Sequence, residues 1–366
     1  MIRVLQVIEG LNAGGMESML MNYYRKFDKN KIQFDFLVYS PRAHFDDEVE
    51  LNGGKIYRIT PRRKNPFKNY YELNSFFKKH KEYQIVQIHQ GVTYFAPLVF
   101  AKLNHVKHII AHTHGMNPSW IKKQGPFFRW FTQPMIEYHA NHFIACSTQA
   151  AEQIFTKRVN TQNNYKLMRN AIEVKRFTFN ELKRSKMRKE LGLDGKFVVG
   201  HVGNFTYPKN HSFIIEVFVN VLKRNNNSVL VLVGDGIDRN KIYKKVCEYG
   251  LNDNVLFLGN RKDVHDVLQT FDVFLFPSHY EGLPVSLIEA QASGLKCVVS
   301  DTITKEVKIT ELVKYMSLND SPENWAKNIL DNTSFREDHI EEITLAGYNI
   351  DVEVLKMVNY YMNFRN

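Results

Sequence analysis

The sequence predicts an α/β protein of two domains, each a parallel sheet with crossover helices on its faces. Three observations carry that expectation. At 366 residues the chain is longer than one ordinary α/β core requires. Short apolar runs alternate with amphipathic stretches from end to end, the mark of repeated strand–helix units. These fall into two series, and each opens with a glycine loop directly after its first strand.

In the first series strands are read at 2–8, 32–40, 54–60, 85–91, 107–115 and 142–147, with helices at 16–27 and 70–80 among the connections. In the second they are read at 196–203, 228–236, 255–260, 273–278 and 296–300, with helices at 212–224, 241–249 and 264–269. Residues 169–180 turn from strand to irregular polar sequence, so the domains are expected at 1–170 and 171–350. A last helix is read at 352–363.

Composition narrows the function classes. No apolar run reaches the roughly eighteen residues of a membrane span, and the N-terminus carries no cleavage signature. Cys146, Cys247 and Cys297 are odd in number and scattered, which fits small buried thiols in a reducing compartment, the cytoplasm. The formal charge of +11 favours a polyanionic partner: nucleic acid, anionic membrane or a phosphorylated substrate. No recognition-helix or RNP-like pattern accompanies the basic residues, so nucleic acid is set aside. Lys55, Arg58, Arg62, Arg63, Lys64, Lys68, Lys78, Lys79 and Lys81 interleave with Phe67, Tyr70, Tyr71, Phe76 and Phe77. Residues 119–134, SWIKKQGPFFRWFTQP, mix cations and rings in the same way. Such mixtures suit peripheral contact with an anionic membrane, here the inner face of the plasma membrane. They equally suit a solvated basic face whose aromatics belong to the core.

Residues 276–294, FPSHYEGLPVSLIEAQASG, carry the strongest functional signal. An apolar strand runs into a Gly-Leu-Pro turn, Pro284 is expected as the first helical residue, and Gly294 as the glycine that ends the helix. A helix N-terminus with free N–H groups seats an anion. Glu281 stands at its mouth and Glu289 about two turns along it. Carboxylates beside a phosphate seat accept hydrogen bonds from sugar hydroxyls. The ligand these features describe has phosphate and polyol parts, as a nucleotide sugar does.

Glu281-Gly282-Leu283-Pro284 followed by Glu289 resembles the E-x7-E signature of family 4 retaining glycosyltransferases, especially those that build bacterial capsular or exopolysaccharide units. The resemblance implies the GT-B architecture, two Rossmann-like domains facing each other across a cleft. It assigns acceptor binding to the first domain and the donor to the second, with the C-terminal helix, about 351–366, packing back on the first. Gly14-Gly15-Met16-Glu17 is similar to the family's G-G-x-E segment, which contacts the donor phosphate or the acceptor, so the resemblance makes Gly14 and Gly15 donor-binding; alone it reads as a tight turn. Gly203 opens the segment 203–211, whose Lys209 matches the family's diphosphate-clamping lysine, while Asn204 stands where that pattern has arginine. Arg3 or Arg261 are candidates to compensate. Asn260 and Arg261 border the nucleotide by the same likeness, and Asn170-Ala171-Ile172-Glu173 resembles an N-G-I-D hinge.

His112 and His114 are two apart at a strand end and so share a face. The resemblance makes His114 the sugar-contacting histidine; His112 reads as a core residue and His89 as a weaker candidate. A zinc site from His112, His114, His139 and His142 is the competing idea, set aside because no carboxylate or thiol stands at ligand spacing. Asp46-Asp47 is read in a loop, away from any metal-binding setting.

The expected function is therefore metal-independent, retaining transfer of a hexosyl or N-acetylhexosaminyl group from a nucleoside-diphosphate sugar. By the resemblance the donor is uridine-linked first, and the acceptor a polysaccharide or lipid-linked sugar. No cofactor is expected. Glu289 is expected at the ribose and Glu281 at the sugar. The amides of Gly282, Leu283, Pro284 and Val285 (proline lending only its shape) are expected, with Lys209, at the departing diphosphate. A nucleotide-sugar epimerase of the same architecture and a weakly active, partner-dependent subunit are the alternatives. Both glutamates lie on one element, which disfavours a glycoside-hydrolase pair.

Overall fold

The computed structural model describes residues 1–12, 14–89, 95–115, 130–331 and 336–365. The chain divides into two units, Met1–Ala171 with Ile350–Asn366, and Ile172–Asn349. Each holds one parallel sheet, as the alternating pattern predicts.

The first unit's strands are β1 (Ile2–Ile8), β2 (Ile32–Val38), β3 (Ile56–Arg58), β4 (Ile85–Ile88), β5 (His108–Thr113), β6 (His142–Ala145) and β7 (Tyr165–Leu167), in the order β3-β2-β1-β4-β5-β6-β7. The second unit's are β8 (Phe197–Val202), β9 (Ser228–Val233), β10 (Val255–Gly259), β11 (Val273–Phe276), β12 (Lys296–Ser300) and β13 (Val313–Met316), in the order β10-β9-β8-β11-β12-β13. All pairings are parallel. Strands such as β2, β4, β9 and β11 are buried along their whole length, because helices cover both faces of such a sheet. The chain enters each sheet at a central strand, winds outward, then returns to that strand's other side. The direction of winding reverses between β1 and β4 in one unit and between β8 and β11 in the other. Such switch points open a crevice at the carboxyl ends of the strands, where open α/β sheets bind ligands.

The last helix, Ile350–Met362, belongs to the first unit. It buries Ile350, Val354, Met357 and Tyr361, a stripe at helical spacing, and Lys26 of the helix Gly15–Lys26 pairs with Asp351 at 2.9 Å. Ala171 is 1% exposed and lacks a positive φ, so its conformation here does not require a glycine.

Several local expectations are corrected. Asp46 and Asp47 begin a helix, Asp46–Leu51, and buried Asp46 pairs with Arg58 instead of standing in a loop. Pro284 is the N-cap, with ψ 97°, and the helix starts at Val285. Gly294 has φ 65° and follows the C-cap Ser293, as expected of a terminating glycine. Cys146 and Cys297 are buried, but Cys247 is exposed, its Sγ donating to Asn252 Oδ1 at 3.1 Å. Phe76 and Phe77 join the core, whereas Phe67 and Tyr71 are exposed on the helix Pro66–Lys79. Trp120, Lys122, Lys123, Phe127, Phe128 and Arg129 lie outside the described residues. Among the described residues no helix is long and apolar enough to cross a membrane.

Candidate functional site

In the second unit the loops after β8 and β11 meet at the switch point. The short turn Tyr207–Lys209 is tied to the other loop by His279 N–H to Pro208 O at 2.8 Å and by Asn210 Nδ2 to Pro277 O at 3.2 Å. Tyr207 stacks on His279 with centroids 4.6 Å apart. Lys209 thereby reaches Glu281, Nζ to Oε1 2.7 Å, with its ammonium also 4.6 Å from the Phe276 ring centroid. Gly203 leaves the room for this. A Cβ there would lie 2.9 Å from His201 Nε2 and 3.1 Å from Lys209 Cδ and Cε.

The helix Val285–Ala292 begins beside this pair. No side chain caps it, and no acidic residue occupies its first turn; Leu287 N–H turns back to Pro284 O at 3.1 Å, while among the described residues the amides of Val285 and Ser286 have no side-chain acceptor. Leu287, Ile288, Ala290 and Ala292 anchor the helix in the core with Phe276 and Cys297. Glu289 lies on its part-exposed side. Burial pushes its carboxyl up to about 7, because a charge there is poorly solvated. Gly282 is exposed and Leu283 packs partly against the core.

Three sequence candidates of the second unit, Asn204, Asn260 and Arg261, make no bond to this group among the described residues. Asn204 is exposed, and among the described residues only its backbone carbonyl is engaged, by Thr206 N at 2.8 Å. Asn260 is exposed after β10. Arg261 is committed to Asp263, Nε to Oδ1 2.8 Å and Nη2 to Oδ2 2.5 Å, and this bond holds the Asp263 carboxyl below its usual value. Arg3 lies near the start of β1, the opposite end from the switch-point crevice, and pairs with buried Asp35 at 2.6 Å. Neither arginine stands as an unpaired substitute for the cation missing at Asn204. The Arg-x-Asp spacing of 261 and 263 was the available signal for that pairing.

In the first unit Gly14 is the N-cap of the helix Gly15–Lys26, and Ser18 N–H donates to its carbonyl at 2.9 Å. The Glu17 carboxylate folds back to within 2.4 Å of where a Gly14 Cβ would stand, and burial raises its pKa. His89, His112 and His114 gather at the carboxyl ends of β4 and β5, each with one ring or ligand atom within 4.8 Å of the others. His139 and His142 do not join them; His142 lies against His108 and Phe364. His89 Nδ1 is 3.0 Å from His114 Nε2, and His89 Nε2 is 2.6 Å from Gln6 Oε1. Gln87 Nε2 is 2.8 Å from His112 Nδ1, and Tyr361 OH donates to Gln87 Oε1 at 2.6 Å. Burial drives all three imidazoles toward the neutral form, His114 down to about 3. Gln6 and Gln87 escape a motif-based reading, yet two amides in otherwise apolar strands, paired in register, were visible as anomalies.

Similarity to known proteins identifies the family. Residues 13–176 match the family Glycosyltransferase Family 4, and residues 183–337 match Glycosyl transferases group 1. The chain is 33% identical to the putative glycosyltransferase EpsF of Bacillus subtilis (strain 168), over 98% of this chain and 96% of that one. It is 26% identical to the capsular polysaccharide biosynthesis glycosyltransferase CapH of Staphylococcus aureus, over 99% of each. Its fold matches that of Anabaena Alr3699/HepE, solved with UDP and glucose, at a TM-score of 0.75 and 15% identity, covering 100% of this chain and 99% of that one. The chain is a glycosyltransferase: it belongs to the family whose two halves these matches define, and it has the GT-B fold.

Proposed function

We propose that the protein moves a hexosyl or N-acetylhexosaminyl group from a uridine-diphosphate sugar to a polysaccharide or lipid-linked acceptor in the synthesis of a bacterial surface polysaccharide, with retention of configuration. The observation that carries this reading is the Lys209–Glu281 pair at the mouth of an uncapped helix that bears Glu289. One cation and a set of backbone donors stand where a diphosphate would leave, and two carboxylates stand where diols would be held. Glu289 accepts from the ribose hydroxyls and Glu281 from the sugar, while Lys209 and the N–H groups of Gly282, Leu283 and Val285 take the growing negative charge. His114 contacts the transferred sugar. With leaving-group charge met by protein donors, the reaction runs without a metal ion. Retention follows if the leaving phosphate acts as the base on the face it departs from. The relatives' names support the polysaccharide setting: CapH is a capsular polysaccharide biosynthesis glycosyltransferase, and a 26% identical Escherichia coli relative is a galactosyltransferase that uses UDP-Gal and a diphosphoundecaprenol-linked sugar.

Incubation with labelled UDP-sugars and an undecaprenyl-diphosphate-linked sugar tests the reading. Acceptor-linked product is expected from the wild type, and a loss of orders of magnitude in Lys209→Ala, Glu281→Ala and His114→Ala. Full activity in all three variants sinks the assignment, and an isomerised nucleotide sugar without acceptor product favours an epimerase. One observation favours a second reading. Arg261 is held by Asp263 and Asn204 is exposed, so the clamp has one cation fewer than its relatives' pattern. A weak enzyme that a partner protein activates is that second reading.

A further inference from the structure

The bonds around His114 fix which of its nitrogens carries the proton. Gln6 Oε1 lies 2.6 Å from His89 Nε2. A carbonyl oxygen only accepts, so His89 bears its proton on Nε2 and its Nδ1 is a bare lone pair. That lone pair faces His114 Nε2 at 3.0 Å, so His114 must carry its proton on Nε2. What remains on His114 is an unprotonated Nδ1, buried and without a partner among the described residues. Burial drives all three rings toward the neutral form, which disfavours a second proton on any of them. Tyr361, 0% exposed on the last helix, donates to Gln87 Oε1, and Gln87 Nε2 meets His112 Nδ1 beside these rings.

We infer that Gln6 and His89 are positioning residues that lock His114 in its Nε2–H tautomer, so that His114 meets the sugar as a hydrogen-bond acceptor through Nδ1, never as a donor or a cation. The partner group is a hydroxyl of the transferred sugar, whose O–H supplies the missing proton. This rests on the reading of His114 as the sugar contact. The two fail separately: undiminished transfer in His114→Ala ends that reading, while the tautomer is read from the rings of the unliganded wild type.

The test is ring nitrogen NMR on the full chain labelled with ¹⁵N-histidine, assigned through single His→Gln variants. The expected spectrum at neutral pH has His114 Nδ1 bare and Nε2 protonated, and His89 Nδ1 bare and Nε2 protonated. A protonated His114 Nδ1, or an imidazolium there, overturns the inference. His89→Phe keeps ring bulk but neither bond; it is expected to mix the His114 tautomers and to lower kcat/KM roughly 10- to 100-fold with UDP affinity unchanged. His89→Gln retains one acceptor and one donor and is expected to restore activity to within several-fold. A His89→Phe protein with full activity and an unmixed His114 tautomer also overturns it. Should that variant fail to fold, Gln6→Leu with the same readouts takes its place. Three imidazoles this close raise the alternative of a divalent metal. Zinc bound tightly by the wild type, lost in His112→Gln and needed for transfer, overturns the inference in favour of that site.

Discussion

Lys209 Nζ stands 2.7 Å from Glu281 Oε1, and each side chain keeps less than a fifth of its surface. The two residues come from loops after β8 and β11 that share backbone and side-chain hydrogen bonds, so the ammonium is placed before any ligand arrives. A cation already in position costs no reorganisation when charge develops on a leaving diphosphate. Replacing Lys209 with Ala is expected to lower kcat by ~10²–10³, the scale for losing one such donor, as read by initial rates of sugar transfer at saturating donor.

Glu289 links nucleotide binding to pH. Burial raises its carboxyl from 4.5 to about 7, so the folded chain keeps a proton there that the unfolded chain has released. Its stability contribution is fully present below 4.5 and is lost as pH rises to about 7. Nucleotide binding runs the other way, because the ionised form is the better acceptor for the ribose hydroxyls. UDP affinity is expected to climb with pH, by up to about tenfold per unit, and to level above about 7. Glu289→Gln is expected to bind weakly with no such slope, as titration calorimetry across the range would record.

Gly234 controls the same loop from the neighbouring strand. Its φ is 129°, and a Cβ on it would lie 2.3 Å from Gly203 O. Gly234→Ala is expected to destabilise the fold by roughly 2–5 kcal/mol through backbone strain and overlap together, measured by urea unfolding.

Phe67 and Tyr71 are 86% and 74% exposed, one turn apart on the helix Pro66–Lys79, with Arg63, Lys64 and Lys68 also exposed. Such a face is suited to an anionic bilayer. The wild type is expected to sediment with phosphatidylglycerol-containing vesicles but not with neutral ones, and Phe67→Ser/Tyr71→Ser to lose most of that binding at unchanged thermal stability. Equal sedimentation of both proteins would leave this face a solvated one.

The sequence made the fold class legible because both sheets are built of nearly continuous apolar strands that alternate with helices. It concealed what tertiary contacts decide. β7 and β13 are edge strands of three and four residues, too short and too polar to show a period. The helix read from residue 70 begins at Pro66, where Asn65 caps it and Pro66 occupies its first position, a pair that marks a helix start. The spacing of Glu281 and Glu289 was plain, and Lys209 with it. That Lys209 pairs with Glu281, that Asp263 claims Arg261, and that His89 rather than His142 joins His112 and His114 depend on how loops and strands from distant positions meet. No local pattern encodes that.

In the proposed reaction the second unit seats a nucleoside diphosphate with Lys209 and Glu289. Calorimetric titration of UDP into the wild type, Lys209→Ala and Glu289→Ala at pH 8 tests it most directly. Single-site binding to the wild type is expected, with a Kd weaker by about tenfold or more in each variant. Equal affinity in all three proteins, or no binding of UDP to a wild type that transfers sugar, would contradict it.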